Sequence, residues 1–189
     1  MKTLLAAADA AERLLGWIAE ATGWLMLVLM GVICIDVATR KAGIQLPELG
    51  STRLQELEWH LHTVLFSGWL GYCYLLNAHP RVDSVTERLS FRKRAWIELI
   101  GCLVFALPYG YVCVHYGLEF TWDSWKTSET SEAVIGIPWR WFIKGLFSAG
   151  LVLMLVATLA MTVRLVGYHL GYTRRETSGL PLDKAIEPM

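Results

Sequence analysis

Four stretches of the chain are nearly unbroken runs of apolar side chains bounded by charge: Trp17–Val37, Trp59–Ala78, Ala95–Tyr116 and Gly145–Val163. A helix needs roughly 20 mostly apolar residues to cross the hydrocarbon core of a bilayer. The pattern therefore predicts an all-α integral membrane protein with four membrane-spanning helices, at about 17–37, 59–78, 95–116 and 139–166. These form one domain over 1–189, with 167–189 expected as a cytoplasmic tail. Ahead of the first span, Leu4, Ala8, Ala11, Leu15 and Ile18 recur at the helical period, which predicts an amphipathic helix at the membrane interface. Asp9, Glu12 and Arg13 interrupt that stretch and argue against a cleaved signal. A further amphipathic segment is expected between spans 3 and 4, in FTWDSWKTSETSEAVIGIPWRW. There Trp122, Trp125, Trp139 and Trp141 suit an aromatic belt at headgroup level, and Pro138 is expected in the first turn of the fourth helix.

Composition agrees with the pattern. Of 189 residues, 54% are hydrophobic and 18% charged, and the mean hydropathy of +0.41 exceeds that of ordinary soluble domains of this length. The formal net charge is zero, so lipid is the expected surroundings and no nucleic-acid partner is expected. The distribution of Lys and Arg carries more information than their sum. With four spans, eleven basic residues fall on the side of the termini and the second loop, including Arg81, Arg88, Arg92, Lys93 and Arg94, against six on the other. Basic residues in short loops mark the cytoplasmic side, which puts both termini there.

The four cysteines, Cys34, Cys73, Cys102 and Cys113, all fall within predicted spans with no Cys-x-x-Cys pair. They read as small buried side chains, a pattern unlike the reactive pairs near water that a thiol oxidoreductase uses. Charged residues sit near the ends of the spans, and Ala21–Ile35, Val64–Leu76, Leu99–Val114 and Gly145–Val163 hold none. A proton or substrate path needs polar groups at mid-depth, so this chain by itself is a poor transport pathway. Arg94 and Glu98, and likewise Asp36 and Arg40, stand four apart, the spacing of a helical ion pair.

The second span has charge at both ends, in LQELEWHLHTVLFSGWLGYCYLLNAHPRVDSVTERL. Glu56 and His60 are four apart, as are Glu58 and His62, with Trp59 between the stripes. They serve either as local carboxylate–histidine contacts at headgroup level or as a hold on another subunit, since ionisable groups at membrane depth default to function. Ser67, Gly68 and Gly71 permit close approach of neighbouring helices. At the inner end come His79, Pro80, Arg81 and Asp83; Pro80 marks where the span bends or stops, and Asp83 is placed to cap a short amphipathic helix at Ser84–Leu89.

The histidines open a different reading. His62 and His115 lie near one surface, His79 and His169 near the other, and each pair supplies two axial ligands in a haem-binding membrane anchor of a redox complex. All four lie at or beyond span ends, where haem is poorly buried. A stand-alone four-helix membrane enzyme or chaperone is the remaining alternative.

Taken in order, the residues resemble the small membrane subunit, DctQ type, of tripartite ATP-independent periplasmic (TRAP) transporters. The resemblance runs from about Asp36 to Val166. It rests on DVATR with Arg40, ELEWH with Glu56 and Glu58, WLGYCY with Gly71, HPRVD with His79, Arg81, Val82 and Asp83, the basic FRKRAW, and GIPWRW at the fourth span. Pro80 departs from the pattern, which more often has a non-proline residue there. The resemblance implies a non-catalytic partner without cofactor or metal. It would scaffold a large multi-span subunit, DctM type, that moves an organic acid inward with sodium after a periplasmic substrate-binding protein has captured it. Arg40, Glu56, Glu58, Trp59, His60, Gly68, Gly71, His79, Arg81 and Asp83 are the candidate subunit-contact or structural residues.

Overall fold

A computed structural model describes residues 1–44, 50–79, 88–133, 136–174 and 177–183. Among these there are helices and turns but no strand. α1 (Lys2–Gly23) runs into α2 (Leu25–Lys41) through a tightened turn at Trp24, whose carbonyl accepts from the Leu27 amide at 3.2 Å. α3 spans Ser51–Leu75. α4 (Phe91–Gly101) passes through a π-helical turn, Cys102–Ala106, into α5 (Leu107–Lys126). α6 covers Arg140–His169, and a 3-10 turn, Pro181–Asp183, follows it.

The helix breaks have local causes. Pro108, in the first turn of α5, lacks an N–H and crowds the carbonyl four residues before it. The widened π turn just ahead of it takes up the mismatch. α2, α3, α5 and α6 each end in a left-handed residue that closes a Schellman-type cap. At the end of α3 this is Asn77, φ 59°, with the Ala78 amide donating to the Cys73 carbonyl at 2.9 Å. The second predicted span therefore stops at Leu75 and not at Ala78, and the cause is the Asn77 cap, ahead of Pro80. Pro80, Arg81, Asp83 and most of the predicted Ser84–Leu89 helix lie outside the described residues.

α6 occupies the middle, packed against α3, α5 and α1, while α3 also packs against α1 and α2. Two close approaches set this arrangement. A Cβ on Gly71 of α3 would lie 2.6 Å from the Leu153 carbonyl oxygen of α6. One on Gly150 of α6 would lie 2.6 Å from the Ser67 Cβ of α3. Gly68 faces the Thr22 side chain of α1 in the same way. The close approach of neighbouring helices read from Ser67, Gly68 and Gly71 is made here with helices of this same chain.

The dry core lies toward one end of the bundle, where Leu15, Ala95, Ala157, Met161 and Leu165 are fully buried. It includes Ala8 and Leu15 of α1. Of the residues read at the helical period, Ala8 and Leu15 are buried where α1 packs on α3 and α6, whereas Leu4 is exposed. At the other end Ser148 joins α6 to α5, its hydroxyl 2.7 Å from the Gly117 carbonyl and 2.9 Å from the Thr121 hydroxyl.

Three helical stretches are long and apolar enough to cross a membrane: Lys2–Lys41, Phe91–Lys126 and Arg140–His169. At 40 residues the first is about 60 Å long, roughly twice the hydrocarbon thickness. α3 is not among them, because His60, His62 and its tyrosines and glycines dilute the apolar residues. Phe120–Lys126, expected in a separate amphipathic segment, forms the last turns of α5, and among the described residues no other helix precedes Arg140. Pro138 stands outside α6, whose N-cap is Trp139. Of the cysteines only Cys102 is buried, while Cys34 is exposed on α2.

Candidate functional site

The ionisable residues collect in three places, each joining elements distant in sequence. The first is the start of α3. Glu56 is 7% exposed, and its carboxylate does not turn back to His60. It accepts from the Ser131 hydroxyl and the Ile137 amide in the segment before α6, and Arg140 Nη2 stands 3.7 Å away. Ser131 in turn accepts from the Ala133 amide at 3.1 Å and from Arg140 at 3.4 Å. His60 instead donates Nδ1–H to the Glu56 backbone carbonyl at 2.5 Å, so the predicted carboxylate–histidine contact is replaced by a backbone one. The Arg140 guanidinium lies 5.1 Å from the Trp59 ring centre, within cation–π range. Beside it Lys144 pairs with Glu129 and sits 3.7 Å from the Phe120 ring centre.

This cluster fastens the segment between α5 and α6. Gly136 is required there, since a Cβ would collide with Ser131 and approach Glu56 Oε2 to 2.8 Å. Trp139 is held left-handed at φ 65°, with the Arg140 amide beside it donating to the Glu129 carbonyl at 3.2 Å.

Burial alone would raise the Glu56 pKa, but the Ser131 hydroxyl, the Ile137 amide and Arg140 outweigh it and hold the carboxyl below its ordinary value. Lys144 chiefly does the same for Glu129. A carboxyl with a depressed folded pKa stabilises the fold above its unfolded pKa, and that stabilisation is lost as pH falls through the folded value. The segment should therefore stay protected from hydrogen exchange at pH 5–8 and lose protection only below the ordinary glutamate pKa of about 4.3. Glu56→Gln should lower that protection at neutral pH and flatten the acid dependence; an unchanged exchange profile would refute the assignment.

The second cluster joins α2 to α3. Asp36, 1% exposed, pairs with Arg40, as its spacing predicts, and accepts from the Ser51 hydroxyl at 2.8 Å. With its amide turned over, Gln55 accepts from Arg40 Nη2 at 3.0 Å. Glu58 lies one turn further along α3, with Oε1 buried and without a hydrogen bond. Among the described residues it forms no ion pair, so the predicted Glu58–His62 contact is absent.

The third cluster is at the opposite end of the bundle. Arg164, 4% exposed, pairs with Asp9 at 2.8 Å and with Glu12, and donates to the Gly179 carbonyl at 3.3 Å. It ties the N-terminal helix and the C-terminal segment to α6. Charge counting missed it, although a lone arginine inside the apolar run LAMTVRLVG signals that a partner is needed. Nearby, the Tyr74 hydroxyl donates to Glu98 at 3.0 Å and lies 3.1 Å from Cys102 Sγ, while Arg94 donates to the Leu182 carbonyl at 2.9 Å.

His79 and His169 each donate one ring nitrogen to a backbone carbonyl, of Leu70 at 3.3 Å and of Leu165 at 2.8 Å. Among the described residues no three His, Cys, Asp or Glu side chains gather as a metal site.

The fold and its clusters define a class: a helical membrane protein whose charges bind its own helices to one another at the bundle ends. Residues 29–167 match the family model DctQ, the DctQ component of tripartite ATP-independent periplasmic transporters. The chain belongs to this family, the small permease component of a transporter. No curated protein and no solved structure matches it significantly.

Proposed function

We propose that the chain is a non-catalytic small permease subunit that scaffolds the large transport subunit, DctM type, of a sodium-coupled uptake system for organic acids fed by a periplasmic binding protein. It crosses the bacterial inner membrane four times with both termini cytoplasmic. The bias of Lys and Arg supports this topology. So does the setting of α3, whose charge-free part, Trp59–Leu75, packs between α1, α2 and α6; a helix shielded by neighbours needs less hydropathy of its own. One observation carries the reading. The charge-free parts of α3 and α6, Trp59–Leu75 and Gly145–Val163, pack on each other, while Glu56–Arg140 and Arg164–Asp9 join helices toward the bundle ends and Asp36–Arg40 pairs within α2. A helix pair of this kind offers a solute no charged group in place of its hydration. No observation favours the haem-bearing anchor.

Co-expression of the tagged chain with the large subunit, followed by purification and reconstitution, tests this. The large subunit should co-purify in constant ratio, and liposomes containing only the small chain should take up no organic acid under a sodium gradient. Uptake by the small chain alone, or failure to recover the large subunit, would overturn the proposal.

A further inference from the structure

Two parts of the exposed apolar surface of the bundle differ in kind. α2 buries only Asp36 and shows Met26, Met30, Ile33 and Val37 outward. It ends in Arg40 and Lys41, which suit the phosphates of surrounding lipid. The other surface is an open trough of about 770 Å³ where α3 and α5 flank α6, floored by Phe147 and Leu151. On α5 its wall follows Tyr109, Cys113, Tyr116 and Asp123, a rise of about 21 Å at 1.5 Å per residue. That is the length and shape of a helix segment. Tyr109 and Tyr116 stand 72% and 63% exposed along it. The end of the trough toward Lys126 is acidic. Glu119 and Asp123 line it, and among the described residues neither carboxylate has an ion-pair partner.

We propose that this trough is the seat of a transmembrane helix of the large subunit, one that carries a Lys or Arg at the level of Glu119 and Asp123. The inference rests on the scaffold reading and adds the face by which the scaffold holds its partner. Charge selects the occupant: two unpaired carboxylates repel a lipid phosphate and attract a basic side chain, and once they are shielded from water by a helix their pairing gains strength. Apolar contact in the trough supplies area, as in helix-in-groove recognition, while the carboxylates set depth and register.

The test places a photo-crosslinking amino acid at Tyr109, at Tyr116 and, for comparison, at Met30, in the chain co-expressed with its large subunit. Tyr109 and Tyr116 should yield adducts with the large subunit at least tenfold above Met30. In the otherwise unmodified chain, the pair Glu119→Lys and Asp123→Lys should cut recovery of the large subunit about tenfold, while Glu119→Gln with Asp123→Asn should cut it less. Adducts from Met30 alone would move the interface to α2, and adducts only with phospholipid at Tyr109 and Tyr116 would show a lipid-filled trough; either overturns the proposal. If the unmodified chain recovers no large subunit, the scaffold reading itself fails, which separates the two outcomes.

Discussion

Replacing Asp9 and Glu12 together, by Asn and Gln, will destabilise the solubilised protein more than Arg164→Met does. The asymmetry follows from where each charge is left. The Arg164 side chain is 5% exposed, whereas Asp9 and Glu12 are 62% and 36% exposed. When the arginine goes, both carboxylates return to water, and a methionine of similar length fills the space, a change expected to cost under about 2 kcal/mol. When the acids go, a guanidinium that cannot deprotonate stays under the Gly179 segment with that carbonyl and neutral amide oxygens as acceptors but no countercharge. Leaving one member of a buried pair uncompensated costs about 3–5 kcal/mol. Thermal unfolding in detergent at neutral pH measures both variants. Equal stabilities, or a less stable Arg164→Met, would mean that the guanidinium reaches water by another route.

Gly71→Ala is expected to have the second large effect, although it adds one methyl group. The new Cβ would meet not only the Leu153 oxygen but the Leu153 carbonyl carbon at 2.9 Å and Leu15 Cδ2 at 3.3 Å. The first two are helix backbone, which cannot swing aside as a side chain does. α3 and α6 must move apart, loosening the Ser67–Gly150 contact one turn away. Overpacking of this kind costs about 1–3 kcal/mol. Gly101→Ala is the matched control: nothing lies within 4 Å of a Cβ there, and alanine raises helix propensity by up to about 1 kcal/mol. Gly71→Ala should melt well below the parent and Gly101→Ala at or above it; equal melting of the two would show that the α3–α6 crossing is looser than its geometry.

Both predictions concern contacts that no sequence pattern specified. The sequence by itself determined the apolar runs, and hence the helices, because one covalent segment supplies all of a helix's backbone bonds. It determined the Asp36–Arg40 pair for the same reason, since residues four apart on a helix are neighbours wherever the helix goes. It carried the family through the order of DVATR, ELEWH and GIPWRW. That same local logic misdirected Glu56 to His60. The partners actually chosen are Ser131 and Ile137, 75 and 81 residues away, and they arrive only because α3 and α6 pack side by side. Arg164 and Asp9, 155 residues apart, meet because α1 packs on α6. Gly68 and Gly71 announced a close approach without naming the neighbour, which the packing found within the chain. Likewise the period of α1 grouped Leu4, Ala8 and Leu15, while packing on α3 and α6 buried Ala8 and Leu15 and left Leu4 exposed. Side chains within four residues are placed by helix geometry; those further apart are placed by whichever helix faces exclude most solvent and lipid when packed, and that is a property of the whole bundle.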